Sequence, residues 1–149
     1  LIGLVPAIIL TAPLFGVSIL ELGYPLFLLF LSLYVFGITL GLFVSAGLIR
    51  FGPSFENIAW SSLFLLAPLG CIYYPIEILP NFFQIIAKGL PLVYIFDETR
   101  NILLNGSVDY ENLKFAYFLN LIYLILGIYL FYFSFLKARI KGTLINMGE

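Results

Sequence analysis

The sequence predicts an all-α integral membrane protein, and three observations carry that reading. Of its 149 residues 62% are apolar and 10% charged, the mean hydropathy is +1.11, and the charges cluster so as to leave four long uncharged runs. Globular soluble domains carry roughly 45–50% apolar and about 25% charged residues, so this chain lacks the polar surface a water-facing exterior requires. The bilayer takes the place of that exterior. Inside hydrocarbon each backbone amide needs a partner within its own segment, which favours helices, and the alternation of a barrel strand is absent from these runs.

The predicted spans are about 1–20, 24–49, 57–76 and 113–136, each reaching the ~20 residues that cross about 30 Å of hydrocarbon. The first, LIGLVPAIILTAPLFGVSIL, has no basic n-region and starts with Leu, so it is expected to be a span from a longer protein rather than a signal peptide. Pro6 and Pro13 each remove a backbone donor and predict a kink. In the second span Gly37, Gly41 and Ser45 recur at i, i+4 and i+8, a small-residue stripe expected to pack closely against another helix. Trp60, Tyr73, Tyr74, Tyr110 and Tyr117 fall near span ends, where amphipathic rings anchor at the interface.

Arg50, Lys137, Arg139 and Lys141 flank the spans on one side, while Lys88, Arg100 and Lys114 are spread over a longer stretch on the other. Basic residues in short connections stay cytoplasmic. Residues 50–56 and 137–149 are therefore expected inside, and 77–114 outside.

The connection before the last span, PIEILPNFFQIIAKGLPLVYIFDETRNILLNG, predicts a hairpin of two short helices over about 78–105. Pro80 can start a helix and Gly89 end it, giving about 13 Å, too short to span. The hairpin is thus re-entrant or interfacial. Pro91 can open a second, amphipathic helix with Leu92, Val93, Ile95, Phe96, Ile102 and Leu103 on one face and Asp97, Glu98, Arg100 and Asn101 on the other. Asn105 and Gly106 supply its stop, and Asp109 is placed to cap the last span. Asp97 and Arg100 at i and i+3 can pair on the outer surface, as a solvated ion pair or an outer gate. Adjacent Asp97 and Glu98 diverge by about 100° and make a poor acid/base couple.

Composition excludes several classes. A net charge of −1 leaves no basic surface for nucleic acid. With no His and a single Cys71, His-ligated metals, cysteine clusters and intrachain disulfides are excluded. An intramembrane enzyme lacks its usual equipment, since there is no Ser/His arrangement, no H-E-x-x-H and no pair of carboxylates within a span. No catalytic or metal residues are assigned.

The order of features resembles a known family. After two spans comes the turn Arg50-Phe51-Gly52, then Trp60 entering the third span, then YYPIEILPNFFQIIAKGLPLVYIFDETR and a final span with a basic tail. This resembles the C-terminal part of the membrane (permease) subunit of type-2 ATP-binding-cassette (ABC) exporters, most specifically in Tyr74-Pro75, Leu79-Pro80, Leu90-Pro91 and Arg100. The resemblance implies a six-span permease of which this chain supplies spans three to six, in a cell membrane, as a homodimer or heterodimer. It also implies a partner ABC ATPase that binds ATP and Mg. The chain itself has no G-x-x-x-x-G-K-[ST] phosphate cradle and no cofactor of its own. The turn from Arg50 to Glu56 is either the loop that meets the ATPase or a plain connector. The family's fifth span lines the path, which would be 57–76 here. Ser61, Phe64, Leu65 and Pro68 make one stripe of it, facing the path or the core. Pro75, Pro80, Gly89 and Pro91 shape the hairpin. Uncharged spans disfavour ion coupling and favour a lipid, drug or saccharide-like cargo. A non-catalytic assembly or anchoring subunit is the alternative.

Overall fold

The computed structural model describes residues 23–106 and 108–141. The predicted first span, with Pro6 and Pro13, and the tail 142–149 lie outside the described residues. Those described form five α-helices and one 3₁₀ turn, with no strand: α1 (Gly23–Phe51), α2 (Phe55–Leu69), the turn Ile76–Ile78, α3 (Asn81–Ala87), α4 (Pro91–Asn105) and α5 (Tyr110–Lys141).

Among the described residues two helices, α1 and α5, are long and apolar enough to cross a membrane. Only 22% and 17% of their most apolar windows are buried, respectively. A core helix of a water-soluble domain hides most of such a surface, whereas these leave Phe27, Tyr34, Ile125 and Ile128 exposed. α1 stops where Gly52 adopts a left-handed φ of 77° and its amide bonds the Leu48 carbonyl at 2.8 Å, satisfying one orphan carbonyl of the helix end. Pro53 follows, and the chain turns into α2 with Phe51 and Phe55 stacked.

The third predicted span requires correction. Instead of running through 57–76, its helix ends at Leu69, roughly 22 Å in length at about 1.5 Å per residue and short of about 30 Å of hydrocarbon. Pro68 lacks the amide that would bond back into the helix, and beyond Gly70 the backbone of Cys71 turns left-handed, with φ 53°. Apolar composition persisted to Ile76, but the backbone chemistry had already broken the helix.

α1 and α5 make the most extensive helix pair. Tyr117 donates to the Leu28 carbonyl at 2.8 Å, Asn120 Nδ2 to the Ser32 carbonyl and Oγ at 2.9 and 2.8 Å, and Gly127 lies against Leu42 and Thr39. Positions rise together along both helices, so the pair is parallel. Arg50 and Lys137 therefore belong to one end of the molecule, and Tyr24, Asp109 and Glu111 to the other. α2 and the hairpin return the chain between them.

Among the described residues the stripe Gly37, Gly41 and Ser45 is not the packed face of α1. A Cβ at Gly37 or Gly41 would meet nothing within 4 Å among the described residues, and both glycines are exposed. The buried face of α1 is Leu29, Ser32, Phe36, Thr39, Ala46 and Gly47. Close approach occurs at Gly47, where a Cβ would run into the Phe55 ring. Three small residues in register permit contact but do not choose the partner. The α1–α2 turn and α5 do.

Candidate functional site

The segment between α2 and α5 is folded back on the bundle at the end where α5 begins. Pro80, in extended conformation, starts α3, and its carbonyl accepts from the Phe83 and Gln84 amides. The Gln84 side chain donates to the Leu79 carbonyl at 2.7 Å. α3 stops at Ala87, and Leu90 is extended so that Pro91 can take the first position of α4, where its missing amide costs nothing. Gly89, expected to make this turn, has no left-handed φ, and a Cβ on it would approach only the Ile86 carbonyl, at 3.2 Å. The left-handed glycine of the hairpin is Gly106, φ 65°, which ends α4 with its amide on the Ile102 carbonyl. Asp109 caps α5 as expected, its Oδ1 accepting from the Glu111 amide at 2.9 Å.

The turn between α3 and α4 is pinned to α5. Tyr94 donates to the Lys88 carbonyl at 3.0 Å, and Tyr123 donates to the Gly89 carbonyl at 2.9 Å. Tyr123 stands roughly 20 Å along α5 from its first residue, at about 1.5 Å per residue. Irregular backbone is thus held well down the side of a membrane-length helix, with its two freed carbonyls bonded by tyrosine hydroxyls. The end of α2 shows the same accounting. The Leu66, Ala67 and Pro68 carbonyls accept from the Gly70, Ile72 and Cys71 amides, Pro68 also from Tyr74 Oη, and Cys71 from Arg100 Nη1 at 2.9 Å.

The charged cluster divides. Asp97 and Arg100 form the expected ion pair at 3.4 Å, but Arg100 is only partly exposed and is also bonded to the Cys71 carbonyl. It is therefore not purely a solvated pair. Glu98, expected on the outer polar face, is 1% exposed. Its Oε1 accepts from the Asp109 amide at 2.7 Å and its Oε2 from Asn112 Nδ2 at 3.5 Å. The apolar face of α4 buries Leu92, Val93, Ile95 and Ile102, while Leu103 is exposed.

Ser61, Phe64, Leu65 and Pro68 lie together on α2, and all are exposed among the described residues. The Ser61 hydroxyl bonds the Asn57 carbonyl within its own helix. Arg50 and Glu56 are exposed on either side of the α1–α2 turn, with the Arg50 guanidinium 5.5 Å from the Phe51 ring centroid. Pro75 is exposed and extended, and it starts the 3₁₀ turn. Sequence reasoning missed Glu98, Tyr94, Tyr123 and the buried Ser32–Asn120 pair. An asparagine alone in the uncharged run 115–136 was a signal, since a buried amide must find a partner. Among the described residues no group of His, Cys, Asp and Glu could hold a metal ion.

No protein-family model, curated protein or solved structure matches the chain significantly.

Proposed function

We propose that this chain is part of a multi-pass permease of the cell membrane, in a type-2 ABC exporter that moves a lipid, drug or saccharide-like cargo. A partner ATPase binds ATP and Mg, and a second permease subunit, identical or not, completes the path. The observation that carries this reading is the α3–α4 turn held along α5 with its carbonyls bonded by Tyr94 and Tyr123. Non-spanning backbone at membrane depth is tolerated where it lines a cavity or packs on protein, as in transporters. An anchoring subunit has no use for it. The hairpin is re-entrant from the outer face, the exposed stripe Ser61, Phe64, Leu65 and Pro68 faces the path, and the Arg50–Glu56 turn meets the ATPase. In this reading α2 completes its crossing together with residues 70–79.

The test is purification of the tagged full-length protein from native membranes under mild detergent. A co-purifying ABC ATPase with vanadate-sensitive ATP hydrolysis, lost on Arg50→Glu while membrane abundance is kept, supports the exporter. Recovery with no ATPase overturns it. Orientation is read separately by thiol labelling of intact cells. Cysteine at Glu111 should react with an impermeant reagent and cysteine at Ser54 should not, against a background in which Cys71 is fully buried.

A further inference from the structure

We propose that α4 is a two-sided clamp joining the end of α2 to the beginning of α5, with Arg100 holding one side and Glu98 the other. Residues two apart on a helix point about 200° away from each other, so these side chains leave α4 in nearly opposite directions. Arg100 Nη1 reaches the Cys71 carbonyl in the bend after α2, at 2.9 Å, and Asp97 steadies the guanidinium from 3.4 Å. Glu98 receives the Asp109 amide and the Asn112 side chain at the start of α5.

The apolar contacts follow the same division. A Cβ on Gly70 would stand 2.9 Å from Leu92 Cδ1, so the bend lies directly on α4. Val93 packs with Cys71 and Ala87. On the other side Ile95 and Ile102 pack with Leu29, Leu113 and Ala116 of α1 and α5. Cys71 is a left-handed residue that is not glycine, a conformation that persists only where its surroundings over-determine it. The Arg100 bond falls on that same residue. The Asp109 amide bonded by Glu98 belongs to the residue that caps α5. One end of the clamp thus grips the left-handed residue after α2 and the other the residue that caps α5, and α4 between them is a single helix.

The consequence is that the two termini open together. This extends the proposed function, in which the end of α2 borders the cargo path, but the clamp itself rests on geometry alone. Two independent local caps would look alike in one structure and differ in coupling, because coupled sites respond reciprocally.

Hydrogen exchange on the full-length protein in lipid nanodiscs, without cargo or nucleotide, distinguishes them. Glu98→Leu should speed exchange at 108–113 and also, at the far end, at 70–74. Arg100→Met should speed exchange at 70–74 and also at 108–113. The distant effect should be on the order of fivefold or more, the usual lower range for coupled sites. The middle of α1 should keep its wild-type rates in both variants. Effects confined to the near end in both variants overturn the clamp, and so does uniform acceleration that includes α1. If Glu98→Leu does not accumulate, Glu98→Gln retains an acceptor for the Asp109 amide and should show the same two-ended pattern at smaller amplitude. An unchanged far end in that variant and in Arg100→Met counts against the clamp equally. Since neither ATPase nor cargo enters the measurement, failure here and failure of the exporter reading are separate results.

Discussion

The α1–α5 pair and the segment 70–109 meet the same demand by different means. In the long helices each interior carbonyl is bonded by the amide one turn on, so side chains are free to pack, and contact rests on apolar faces with a few polar additions such as Ser32–Asn120. Between the end of α2 and Gly106 the backbone breaks repeatedly, and side chains are spent on it: Tyr74, Gln84, Tyr94, Arg100 and Tyr123 all donate to main-chain carbonyls. Regular backbone leaves residue choice loose. Irregular backbone in an apolar setting requires particular donors, because an unbonded buried carbonyl costs about as much as a lost hydrogen bond.

The most damaging change should be one at the buried polar contact of the regular pair, Ser32–Asn120. Asn120→Asp replaces the amide donor by a carboxylate facing the Ser32 carbonyl in a site that is 1% exposed. An uncompensated buried charge costs about 3–5 kcal/mol, so folded protein in membranes should fall to a small fraction of wild type by fluorescence-detected size exclusion. Asn120→Leu should be mild, since interhelical hydrogen bonds in membranes average about 0.6 kcal/mol and Asn120 Oδ1 has no partner among the described residues. If the leucine variant is as damaged as the aspartate, the pair depends on polarity more than this comparison allows.

Next in size is the contrast between two glycines of α1. Gly47→Val drives a side chain into Phe55 at the α1–α2 turn, and overpacking of this kind costs about 1–3 kcal/mol. Gly41→Val meets open space among the described residues. Thermal unfolding in nanodiscs should separate them clearly. Equal loss from both would place a second surface against the Gly37, Gly41 and Ser45 stripe.

Tyr123→Phe sharpens the comparison by measuring depth. It removes the donor to the Gly89 carbonyl and nothing else of that side chain's shape. With the turn away from water the orphaned carbonyl costs about 1–3 kcal/mol, seen as a lowered melting temperature in nanodiscs. A change within about 0.5 kcal/mol would mean that water replaces the tyrosine, and the re-entrant placement would fail.

The smallest effects lie within the hairpin and at its stop. Gly106→Ala puts a Cβ into a left-handed cap and should cost about 1 kcal/mol, whereas Gly89→Ala, without such a φ, should be close to neutral by the same melting assay. Asp97→Asn should also stay within about 1 kcal/mol, since its partly exposed pair with Arg100 is screened. A reversed order of the two glycines would show that the turn at 88–90, rather than the stop at 106, carries the strain.

The amino-acid pattern by itself determined that this chain is helical and apolar, where α1 and α5 run, and that two short helices opened by Pro80 and Pro91 and stopped near Gly106 precede α5. Those features depend on neighbours a few residues away: apolar run length, prolines without amides, and a glycine or aspartate at a helix end. The end of α2 at Leu69 rather than Ile76 was also written locally, in Pro68 and Gly70, but continuous hydropathy masked it. Long-range packing alone set the inward turn of Glu98 to α5 instead of out to water, the bond of Arg100 to the Cys71 carbonyl, the reach of Tyr123 to the Gly89 carbonyl and the choice of Gly47 among the α1 glycines as the one in close contact. Each of those choices depends on which carbonyl or ring arrives from a distant part of the chain, and helical periodicity specifies only a direction around one axis, not what stands there.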